Sequence, residues 1–61
     1  MKLIKSIRTQ RFLIALYQLE NGKYSLAHNA GERPTVYSHP IDDYKLADFM
    51  FETLVQELEG M

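Results

Sequence analysis

The stretch Leu19-Glu20-Asn21-Gly22-Lys23-Tyr24 decides how this chain is read. Asn-Gly between two apolar runs is the preferred centre of a two-residue type I′ hairpin, since both residues tolerate positive φ. Counting outward from that turn sets Glu20 opposite Lys23, Leu19 opposite Tyr24, Tyr17 opposite Leu26 and Ala15 opposite His28. Side chains alternate across a strand, so this register also assigns faces. One face collects Leu13, Ala15, Tyr17 and Leu19 with Tyr24, Leu26, His28 and Ala30, and is the predicted core. The other is polar near the turn and apolar toward Ile14 and Leu16, an end that something else must cover.

Downstream, Asn29 to Pro34 reads as a loop, and Thr35-Val36-Tyr37-Ser38, closed by Pro40, reads as a short third strand at the sheet edge. From about Asp42 the apolar period changes from two to 3.6. Tyr44, Ala47, Phe51, Leu54, Val55 and Leu58 form one stripe, with Lys45, Asp48, Glu52, Gln56 and Glu59 opposite. Asp42 is the predicted N-cap, Ile41 and Leu46 a hydrophobic staple, and Gly60 the residue that ends the helix.

Upstream, Leu3, Ile4 and Ile7 suit a short helix or an extended segment. The extended reading is preferred, because it lets these residues pair beside Ile14 and Leu16. The expected architecture is α+β in a single small domain, residues 1–61. It is a three-stranded antiparallel sheet, with room for a fourth N-terminal strand, packed on one C-terminal amphipathic helix.

Composition bounds the chemistry. The chain is 46% hydrophobic and 25% charged, which is globular rather than disordered. It has no cysteine, which excludes disulfides and thiolate metal sites. A core of this size rarely supplies more than about 3–5 kcal/mol, so a second chain is a natural source of further burial. The longest apolar run, Phe12 to Tyr17, is far short of the roughly 18 residues of a membrane span. The basic N-terminus lacks the continuous apolar region of a secretory signal, so the expectation is a cytoplasmic protein with no membrane partner.

No constellation points to catalysis, and no cofactor is expected. Ser38 beside His39 is proximity along the chain only, and no glycine-rich phosphate loop is present. His39-x-x-Asp42-Asp43 offers one nitrogen and two carboxylates, the basis of a third-ranked reading as a metal- or small-molecule-binding regulator. His28 is expected to be a structural residue of the core face.

Charge is divided along the chain. Lys2, Lys5, Arg8, Arg11, Lys23 and Arg33 dominate residues 1–33, while Asp42, Asp43, Asp48, Glu52, Glu57 and Glu59 dominate the rest. Two halves that complement each other in the fold explain this division most simply. The alternative is a nucleic-acid-binding module that uses Lys2, Lys5, Arg8 and Arg11 against phosphates.

The leading functional reading comes from the helix. Leu46, Phe49 and Met50 cluster to one side of the core stripe as a second apolar patch. Aromatic and methionine side chains are enriched at interfaces. The chain is therefore expected to be a non-enzymatic interaction module, binding another protein or itself as a homodimer. Leu46, Phe49 and Met50 would make that contact, together with the apolar end around Ile14 and Leu16.

Overall fold

A computed structural model describes residues 1–31 and 33–60; Glu32, in the predicted loop 29–34, and Met61 lie outside the described residues. Four strands, β1 (Lys2–Arg8), β2 (Phe12–Gln18), β3 (Tyr24–Ala30) and β4 (Val36–Tyr37), precede one helix, α1 (Tyr44–Glu59). The strands form an antiparallel meander in the order β1-β2-β3-β4, and α1 packs on one face. The α+β class is as expected, and the N-terminal segment is the fourth strand.

The turn joining β1 to β2 depends on a hydroxyl. Thr9 N–H donates to the Phe12 carbonyl at 2.8 Å, while the Phe12 and Arg11 N–H groups both donate to Thr9 Oγ1 at 3.1 Å. The side chain thus replaces a backbone acceptor and reverses the chain without Gly or Pro. The result pairs Ile7 with Ile14 and Lys5 with Leu16. A bulge between Leu3 and Lys5 sets Ile4 against the core.

The central hairpin corrects the predicted register. Tyr17 pairs with Ser25, Leu16 with Leu26, Ala15 with Ala27 and Ile14 with His28, one residue away from the two-residue-turn alignment. Leu19 N–H donates to the Lys23 carbonyl at 2.7 Å, and Gly22 N–H donates to the Leu19 carbonyl at 3.0 Å. Only Gly22 takes a positive φ, +85°; Asn21 does not. This is a three-residue loop, a type I turn completed by a left-handed glycine. Asn21 contributes its side chain instead, accepting from Lys23 N–H at 3.0 Å.

One residue of slip turns every β2 side chain over. Phe12, Ile14 and Leu16 therefore face the helix, with Ile14 and Leu16 fully buried. Leu13, Ala15 and Tyr17, the predicted core residues of this strand, face away. The observed choice places the larger set under α1, where Ala47, Phe51 and Val55 meet it. On β3 the assignment is as expected, with Leu26 buried and Tyr24 packed against the core.

Past β4, Ser38 continues the edge by donating its N–H to the Leu26 carbonyl at 2.8 Å. Ile41 returns to the sheet by two reciprocal backbone bonds with Tyr24, both 2.8 Å. That pairing draws Ile41 into the core at 8% exposure and leaves Leu46 without the expected staple, at 51%. The N-cap is Asp43 rather than Asp42: its carboxylate accepts from Lys45 N–H at 3.3 Å. Gly60 closes the helix with φ −79°, an ordinary right-handed value, donating its N–H to the Gln56 carbonyl.

Candidate interaction surface

Pairing across the sheet creates rungs, and one rung shows where the helix lies. Ile7, Ile14, His28 and Val36 are successive partners across the helix-facing side. Along that rung Ile14 is fully buried, while Val36 is 53% exposed. Four strands at about 4.8 Å spacing are wider than one helix of about 10 Å diameter. The helix packs against β2 and β3 and leaves β4 uncovered.

The two flanks of the helix are finished differently. On the β1 flank, Lys5 reaches across and its ammonium donates to Asp48 and, at 3.3 Å, to Glu52. It also lies over the Phe51 ring, 4.7 Å from the centroid. The hydrogen bond to Asp48, with further support from Glu52, raises the Lys5 pKa above its ordinary value despite partial desolvation. Together with Lys23–Asp42 at 3.1 Å, these pairs join the basic and acidic halves of the chain.

On the β4 flank no comparable ion pair closes the gap among the described residues. A groove of about 300 Å³ runs between helix and sheet, with Leu26, His28 and Val36 on the strand side and Phe49, Met50 and Leu54 on the helix side. Phe49 is 64% exposed at its lip. Thr53 and Glu57 complete the helix wall, and Glu57 is its one acidic residue. The other helix acids, Asp48, Glu52 and Glu59, project toward the Lys5 flank by the 3.6-residue period.

Of the helix patch, Leu46 and Phe49 are exposed, and Met50 is half-buried against the core. Ile14 and Leu16 are not part of it. Both have 0% exposure beneath α1, so no partner can touch them in the folded chain. His28 lies in the groove wall rather than in the core, and its half-buried ring makes no hydrogen bond among the described residues.

The four basic residues do not form one stripe. Lys2 is exposed at the start of β1, and Lys5 is turned to the helix. Arg8 sits opposite Leu13 on the far face, and Arg11 lies in the β1–β2 turn. Asp42 is engaged by Lys23 and Asp43 by the helix cap, while His39 is exposed. Among the described residues no group of three or more His, Asp or Glu is placed to hold a metal ion.

Sequence reasoning found the helix side of the groove and missed the strand side. The signal available was geometric: four strands and one helix leave sheet uncovered. Among the described residues, no helix is long and apolar enough to cross a membrane. Set against protein-family models, curated proteins and solved structures, the chain finds no match.

Proposed function

We propose that this chain is a small, non-enzymatic protein-interaction module of the cytoplasm, binding a polypeptide partner at the groove between α1 and the β3–β4 flank. The observation that carries this reading is Phe49, a large aromatic 64% exposed at the lip of an apolar groove and flanked by Leu46 and Met50. Exposed apolar patches rimmed by polar residues mark contact sites. The trough is open and at the lower end of ligand-pocket volumes, which suits a partner's side chains better than an enclosed small molecule. Use of Lys5 inside the fold removes a central residue from the phosphate-binding alternative.

The test compares capture by immobilised wild-type chain and by Phe49→Asp, with Tyr37→Ser on the far face as control. Proteins held by the wild type and the control but released by Phe49→Asp are the expected result. Capture indifferent to Phe49 would remove the groove from the proposal.

A further inference from the structure

Resting on that reading, we infer that the partner is an extended peptide segment that joins the sheet as a fifth strand, antiparallel to β4. Its recognition pattern is apolar-x-apolar-x-basic: two aliphatic side chains fill the groove and a lysine or arginine meets Glu57.

The backbone of β4 selects a strand. Val36 pairs with His28, and Ser38 donates its N–H to the Leu26 carbonyl at 2.8 Å. Bonded and non-bonded pairs alternate along an antiparallel ladder, so Val36 and Ser38 both bond toward β3. Tyr37, between them, turns its N–H and C=O outward. An antiparallel partner residue opposite Tyr37 exchanges two bonds with it. The other sheet edge is closed to such addition. On β1 a bulge lies between Leu3 and Lys5, and Lys2, Lys5 and Arg8 place charge along the strand. Val36 and Tyr37 carry no charge, and β4 pairs without a bulge.

The groove selects the side chains. Partner residues opposite Ser38 and Val36 face the helix side, as those two residues do, and stand at the groove mouth below Phe49. Val36 is 53% exposed there, so an aliphatic neighbour removes apolar surface from water on both sides.

Charge and direction fix the basic residue. Tyr44, at the start of α1, meets the Tyr24 ring at 5.5 Å, and Leu58, near its end, lines a hollow with Ala30. The helix therefore runs alongside β3 in the same direction, and a strand antiparallel to β4 follows it from Phe49 toward Glu57. Glu57 makes no ion pair among the described residues, and the last turn of α1 holds no basic side chain. That end of the groove is negative by carboxylate and by helix dipole alike, which favours a cation. Phe49 and Glu57 are about 12 Å apart along the helix, and the first and fifth residues of a strand are about 14 Å apart. The two spacings agree. Pro34 and Pro40 bracket β4 and hold the added strand to about this length.

The probe is the peptide acetyl-Thr-Ile-Thr-Ile-Thr-Lys-Thr-amide, titrated into the nitrogen-15-labelled chain and followed by amide NMR shifts. Saturable binding with Kd below about 1 mM, with shifts around Val36 to Ser38, is the expected result. N-methylation of the threonine between the two isoleucines removes the donor to the Tyr37 carbonyl and should weaken binding at least about tenfold. N-methylation of the second isoleucine, whose N–H faces away from β4, should change it little. Exchanging the peptide lysine for glutamate should also weaken binding several-fold, and Glu57→Lys should restore that peptide. Phe49→Asp should lose binding while keeping a dispersed spectrum; if it unfolds, the two methylated peptides decide on the wild type alone. Binding that needs Phe49 but is equal for both methylated peptides overturns strand addition and leaves the groove reading standing. A lysine exchange without effect overturns the basic position. No binding to about 1 mM overturns the inference, as does a wild-type chain that dimerises through Phe49 and so fills the groove itself. Peptide binding indifferent to Phe49 overturns the inference and the groove reading together.

Discussion

The ammonium of Lys5 lies 4.7 Å from the centre of the Phe51 ring while bonded to Asp48 and Glu52. One side chain on β1 thus meets three on α1 and fastens the N-terminal strand to the helix. Lys5→Ala should cost about 1–2 kcal/mol, the sum of an ion-pair network at the surface and a cation–π contact. Urea denaturation of the two proteins measures it, and the difference should shrink in high salt. The raised Lys5 pKa gives the sign with pH. The stabilisation is fully present below the ordinary value of 10.5 and is lost as pH rises through the higher folded value. A wild-type advantage that grows above pH 10.5 would contradict this.

The register of the central hairpin is open to mutation. Leu16→Ala removes a fully buried side chain and should cost about 2–5 kcal/mol, enough to unfold much of so small a chain at room temperature. Leu13→Ala, one face over and only half-buried, should cost clearly less. Thermal melts of the pair read this directly; the opposite ranking would restore the two-residue turn.

Gly22→Ala places a side chain at φ +85° where nothing lies within 4 Å of the added carbon. Its whole cost is therefore backbone, about 1–2 kcal/mol. Gly22→Asn should lose less, since asparagine tolerates the left-handed region. Equal losses for the two would point to a contact rather than to conformation.

The two aspartates before α1 should separate cleanly. Asp43→Ala removes the cap and should cost about 1 kcal/mol. Asp42→Ala loses only an exposed ion pair to Lys23 and should be nearly silent. Chemical denaturation of both single variants ranks them.

Much of this architecture is readable along the chain, and the failures have local causes. The change of period at Asp42 marks α1, and Leu46 with Phe49 stands off its core stripe by spacing alone. The register is not readable in the same way. Asn-Gly suits a two-residue turn and also the last two positions of a three-residue loop. Phe12 to Tyr17 is apolar at every position, so alternation names no core face. The β1–β2 turn rests on one threonine hydroxyl, a weaker signal than glycine or proline. His28 and Val36 become groove residues only because His28 pairs with Ile14, Val36 pairs with His28 and α1 is offset, which are relations among four elements rather than properties of any one.

The nearest-neighbour strand order has a kinetic corollary. Each hairpin closes over a short stretch of chain, so the sheet can assemble by small, successive losses of loop entropy. The Lys5–Asp48 contact spans 43 residues and needs both β1 and α1 in place. Refolding should therefore be governed by hairpin residues such as Gly22, whose substitution slows the forward rate, whereas loss of Lys5 chiefly speeds unfolding.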